Sequence, residues 1–90
     1  MLFMIIEHFR LGQASAIYRR FRDRGRMMPE SVKYVSSWID FSFQRCYQVM
    51  EAKQESDLKE WTAKWEDLMD FEIIPVQTSA EAAEKIAPQL

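Results

Sequence analysis

Cysteine, histidine and glycine are almost absent from this chain of 90 residues, which holds one, one and two of them respectively. A lone Cys46 excludes an intramolecular disulfide, and with His8 as the only histidine there is no Cys/His group at metal-ligating spacing. No glycine-rich loop is present to cradle a phosphate, and no Ser-His-Asp constellation has local support. The longest apolar run near the start, Leu2 to Ile6, lacks a preceding basic region and is too short for a signal peptide or a membrane span. These absences predict a cytoplasmic protein without membrane contact, metal or cofactor.

No repeat or low-complexity linker interrupts the sequence, so residues 1–90 read as a single domain. A chain this short buries only roughly 60–65% of the surface its unfolded form exposes. With neither a disulfide nor a metal to add stability, self-association is the remaining means. Twelve basic residues oppose fourteen acidic ones, for a net charge of -2, yet Arg19, Arg20, Arg22, Arg24 and Arg26 crowd one segment. Asp23 and Glu30 lie among them, which fits a solvated helix face better than a nucleic-acid surface.

Leu2–Phe9 is a branched and aromatic run of strand length that ends before the breaker Gly12. From Ala14 to about Met28, Ile17, Tyr18 and Phe21 stand at helical spacing; Gly25 offers an early stop and Pro29 forbids continuation. Val32–Phe41 and Arg45–Ala52 read as two strands joined in a hairpin around Ser42 to Gln44. Leu58, Trp61, Trp65 and Leu68 predict a second helix over Asp57–Leu68, with Asp57 and Glu60 spaced as a capping box. Asp70–Val76 is a fourth strand, placed at a sheet edge by Pro75. Thr78 and Glu81 then form the signature of a capping box for a short last helix that ends near Ala87-Pro88.

The order βαββαβ with a terminal helix predicts an α+β, ferredoxin-like sandwich: a four-stranded antiparallel sheet with two helices on one face. Two helices cover one face only, so the strands should alternate apolar with polar. They do not: Leu2 to Ile6 is apolar at both parities, and Phe71 and Ile73 oppose Ile74 and Val76. A sheet that is apolar on both faces predicts a homodimer with sheets packed face to face. Assigning the bulky pairs Tyr47/Val49 and Phe71/Ile73 to the helix side leaves Gln48 and Glu72 on the inter-sheet face. Cys46, Met50 and Ile74 go with them, as do Tyr34, Ser36 and Trp38 in one register, and either Glu7 or His8. Polar groups among apolar ones are what line a small-molecule pocket.

Gly25-Arg26-Met27 with Pro29, Tyr34, Ser37-Trp38, Arg45-Cys46-Tyr47-Gln48 with Met50-Glu51, Trp61, Trp65, Asp67-Leu68, Phe71-Glu72, Pro75-Val76 and Thr78-Ser79-Ala80-Glu81 together resemble a bacterial domain-of-unknown-function family, family 3303. The match spans nearly the whole chain and departs at Ser31, where the family is expected to have glycine. The resemblance implies a protomer related to the dimeric α/β-barrel proteins, in which paired sheets enclose pockets. Barrel relatives include cofactor-independent monooxygenases, haem-degrading proteins and muconolactone-type isomerases, and a shared fold selects none of these reactions.

The candidate ligand-binding residues are therefore Gln48, Glu72, Trp38, Tyr34, Arg26 and Cys46. Glu72 and His8 are the candidate acid-base groups, against commoner roles as a paired carboxylate and a partly exposed strand-end histidine. Cys46 lacks a motif that would lower its pKa, and Trp61 and Trp65 have the spacing of helix core. Arg26 either holds an anionic group of a ligand or complements the negative end of the first helix. Three functions follow in order: a small-molecule-binding homodimer, a cofactor-independent monooxygenase or isomerase, and an interaction or regulatory module that uses the arginine-rich helix.

Overall fold

The computed structural model describes residues 1–90. Its elements are β1 (Leu2–Phe9), α1 (Ala14–Arg24), β2 (Lys33–Ile39), β3 (Arg45–Glu51), α2 (Glu55–Thr62), β4 (Met69–Val76) and α3 (Ser79–Ile86), followed by one 3-10 turn, Ala87–Gln89. The strands form one antiparallel sheet in the order β2-β3-β1-β4. With two helical crossovers, this is the ferredoxin-like α+β fold that the element order implies. No helix is long and apolar enough to cross a membrane.

Register decides which side chains share a face. Ile5 stands opposite Gln48 on one side and Ile73 on the other, and Glu7 stands opposite Cys46 and Phe71. This set lies beneath α1 and α2, where Phe3, Ile5 and Met50 are buried with Ile17, Leu58, Trp61 and Met69. On the opposite face Leu2, Met4, Ile6, Tyr47, Val49, Ile74 and Val76 are largely apolar, and none of them is buried in the single chain. Pro75 lies in β4, an edge strand, where its missing N–H breaks no ladder on the open side.

The helix ends differ from the sequence expectation for local reasons. α1 stops at Arg24 rather than running on to Met28, because Gly25 adopts φ 65° and its N–H caps Phe21 O at 2.8 Å. α2 begins at Glu55 behind Gln54, which makes no side-chain capping bond, so the Asp57/Glu60 capping box does not form. Trp65 and Leu68 lie beyond α2 in tight turns, where Lys64 N bonds Trp61 O and Leu68 N bonds Trp65 O, and both side chains are still buried. The hairpin between β2 and β3 is organised by Asp40, whose carboxylate accepts from the Gln44 and Arg45 amides at 2.9 and 2.8 Å and from the Ser42 hydroxyl. Those bonds, the Ser42 one foremost, lower its pKa to about 2. The Thr78/Glu81 capping box forms as expected, yet α3 buries none of its residues.

Candidate functional site

A cavity of about 250 Å³ lies between α1 and the helix side of the sheet. Phe9, Ile17, Tyr18, Phe21, Trp61 and Trp65 give it largely apolar and aromatic walls, while Glu7, Arg26, Ser37, Cys46 and Gln48 supply the polar groups. α1 has few large apolar residues, and only Ile17 is buried along its length, which leaves this space unfilled. α2 and the turns after it carry the bulkier Leu58, Trp61, Trp65 and Leu68, which fill the core.

Glu7 is 6% exposed and Gln48 is 4% exposed, and the Gln48 amide donates a hydrogen bond to Glu7 Oε2. On its other side Gln48 Oε1 accepts from Arg26 Nε at 3.4 Å, and Arg26 Nη2 reaches Ser37 Oγ at 3.3 Å. Ser37 is in turn bonded to the Tyr34 hydroxyl at 2.7 Å. The chain Glu7–Gln48–Arg26–Ser37–Tyr34 thus runs along the sheet at the cavity, and no buried side-chain polar atom is left without a partner.

Arg26 is held by more than these bonds. Its guanidinium carbon lies 3.9 Å from the Tyr34 ring centroid and 5.0 Å from that of Phe21. Its backbone carbonyl accepts both indole N–H groups, from Trp61 at 2.9 Å and Trp65 at 3.0 Å. The two tryptophans therefore act as core and also clamp the loop that presents Arg26. The chain's ion pairs join Arg10, Arg20 and Arg22 to aspartates and His8 to Glu72, so Arg26 has no carboxylate within 4.0 Å.

Burial pushes the Glu7 carboxyl up from 4.5 to about 7, against the opposing effects of the Cys46 thiol, the Arg26 charge and the Gln48 amide. The Cys46 thiol is pushed up to about 12, first by burial and then by the neighbouring Glu7. At neutral pH Cys46 is a hydrogen-bonding thiol rather than a nucleophile.

Several face assignments made from parity are corrected by these contacts. Gln48, Cys46 and Met50 point to the helix side, and Tyr47 and Val49 point away from it. The bulk of Tyr47 is a poor guide here, because Gln48 finds buried partners in Glu7 and Arg26. Tyr34 and Trp38 do not share a face: the register shifts between Tyr34 and Ser36, which puts Tyr34 on the helix side. Trp38 borders the cavity but is 61% exposed, opposite Tyr47. Phe71 and Ile73 face the helices as expected, and Glu72 and Ile74 face away.

Glu72 is therefore separated from Gln48 by the sheet. It is a paired carboxylate, hydrogen-bonded to His8 at 2.5 Å. Of the sequence-selected candidates, Arg26, Gln48, Cys46 and Tyr34 come together, while Glu72 and His8 form a separate pair on the open face. The residue the sequence left undecided is Glu7, and its register opposite Cys46 makes it the buried carboxylate. In the arginine-rich stretch, Arg20 forms a two-pronged bond to Asp67 at 2.8 and 2.7 Å, and Arg22 pairs with Asp23. No group of three or more His, Cys, Asp and Glu residues converges as a metal site.

No curated protein matches the sequence. The family model described as Domain of unknown function (DUF3303) matches residues 1–90, and the chain belongs to that family.

Proposed function

We propose that this protein binds a small, flat, mostly apolar molecule with one polar end in the cavity between α1 and the sheet. The observation that carries this reading is a polar chain, Glu7–Gln48–Arg26, buried at Glu7 and Gln48 and half-buried at Arg26, on the wall of an otherwise largely apolar and aromatic cavity. Arg26 has no carboxylate partner and is fixed from three sides, so a carbonyl, phenol or enol oxygen of a ligand meets a preorganised donor. An apolar cavity of ~150 Å³ accommodates benzene. On that scale the roughly 250 Å³ here suits a molecule of about two fused rings.

The protein acts as a homodimer in this reading. The open face of the sheet is apolar along β1, and sheet-to-sheet pairing of two copies removes it from water. Sedimentation equilibrium should then give the mass of two chains, and a single-chain mass at all concentrations would remove the dimer from the proposal.

Isothermal titration calorimetry with β-tetralone and β-naphthol tests the pocket. Binding is expected for both and is expected to weaken at least tenfold in Cys46→Met, which extends a side chain into the cavity. Absence of binding heat for both compounds at several temperatures, or equal affinity in the variant, would refute the reading.

A further inference from the structure

Glu7 and Arg26 are the two charged residues on the cavity wall, and they do not form an ion pair. Gln48 stands between them, donating to Glu7 and accepting from Arg26, so it holds an acid-base group and a cation apart on either side of one amide. A planar ketone whose oxygen meets Arg26 would lie along this chain with its adjacent carbon toward Glu7. That is the arrangement proton abstraction beside a carbonyl requires: a base at the carbon and a fixed positive charge where the oxygen becomes negative.

Resting on the pocket reading above, we propose that the cavity catalyses proton transfer at carbon, with Glu7 as the base and Arg26 as the stabiliser of the enolate oxygen. The C–H bond next to the carbonyl breaks and an O–H bond forms on the Glu7 carboxylate. The C–H electron pair becomes the carbon–carbon double bond of the enolate, and the carbonyl π pair moves to the oxygen beside Arg26. Return of the proton to the same carbon exchanges hydrogen with solvent, and return to another carbon of a conjugated system isomerises the ketone. Neither outcome needs an oxidant, a reductant or a cofactor.

The surroundings of Glu7 suit this role. The titratable and charged groups that face it are Cys46 on β3, Tyr18 on α1 and Arg26 in the loop after α1. The thiol and the phenol are both pushed above their ordinary values, so each keeps its proton at neutral pH. Glu7, held near 7 by burial, is then the group in the cavity that gains and loses a proton there.

The test is deuterium exchange of β-tetralone in heavy water, followed by loss of its α-proton NMR signal, with binding measured in parallel by calorimetry. The wild-type protein should accelerate exchange by about 100-fold or more over buffer, the usual contribution of one positioned base. The rate should rise with pH to a plateau, half-maximal near 7. Glu7→Gln retains the amide bond to Gln48 and should bind within about threefold of wild type while losing nearly all the acceleration. A wild-type protein that binds β-tetralone without speeding its exchange, or a Glu7→Gln variant that exchanges it at the wild-type rate, overturns the inference and leaves the pocket standing. Absence of binding overturns both.

Discussion

Replacing Glu7 with glutamine should make the protein more stable, and by an amount that depends on pH. The Glu7 carboxyl is pushed up from 4.5 to about 7 because its charged form is desolvated between β1, β3 and α1. Between those two values the unfolded chain has released the Glu7 proton and the folded chain still holds it. Folding therefore takes up a proton, and wild-type stability falls as pH rises through this window. The contribution is fully present below pH 4.5 and is lost once pH passes about 7. At ~1.36 kcal/mol per pH unit, the interval amounts to about 3 kcal/mol.

Glutamine has nearly the same shape, keeps an oxygen for the Gln48 amide and never ionises. The stability of Glu7→Gln minus that of wild type should therefore grow by about 3 kcal/mol between pH 4.5 and neutrality, then level off. Urea unfolding followed by tryptophan fluorescence measures this, at one protein concentration throughout because association also shifts the midpoint. With a slope of ~1 kcal/mol per molar urea, the change corresponds to a relative midpoint shift of about 3 M. Subtracting the two proteins at each pH cancels the other titrating groups. A difference that stays flat across the range would show that Glu7 is solvated or already ionised in the folded state, and the electrostatic reasoning for the site would fail.

Trp65→Phe keeps an aromatic ring in the core but removes one of the two indole donors on the Arg26 carbonyl, which Trp61 still satisfies. It should cost about 1 kcal/mol, seen as a fall in Tm of roughly 4–8 °C, and an unchanged Tm would show that the clamp contributes nothing. Thr78→Ala removes the hydroxyl that accepts from the Glu81 amide at 3.1 Å and should lower the helix signal in circular dichroism. The main unfolding midpoint should not move, because α3 buries no residue; a clear drop would place α3 against the rest of the structure in solution.

The order of elements was legible because each is announced locally. Apolar spacing in α1 and α2, the branched run of β1, Pro75 at an edge and the Thr78/Glu81 pair depend on residues a few positions apart. The facing of β3 was not. Tyr47 and Val49 look like core beside Cys46 and Gln48, and a shift of one residue exchanges the two sets. Gln48 is settled on the helix side by its register opposite Ile5 and by Glu7 and Arg26, which are 41 and 22 residues away along the chain. The bulge between Tyr34 and Ser36 has the same character, since nothing in the strand composition marks the step that separates Tyr34 from Trp38. β1 is equally opaque, because Leu2, Met4 and Ile6 are as apolar as Phe3 and Ile5.

A polar residue in an apolar strand is informative even when its face is misread, and Gln48 shows why. Whichever side it takes, a buried amide must find partners, and in a sheet those partners come from neighbouring strands and the loops beside them. The oddity of Gln48 in the sequence therefore pointed to a polar cluster, which parity placed on the wrong face of the sheet. The pairing of β1 with β3 supplies the location: it sets Ile5 against Gln48 and so carries Glu7, two residues on, to the same face. The positive φ of Gly25, which turns the chain back over the sheet, brings Arg26 to the other side of the amide. Glu72 stands out equally in β4, yet its strand sits at an edge and its parity faces away, so the partner it finds is His8 across the open face. The carboxylate the sequence singled out, Glu72, thus ends exposed in a surface pair, whereas Glu7, which the sequence left undecided, ends desolvated on the wall of the cavity.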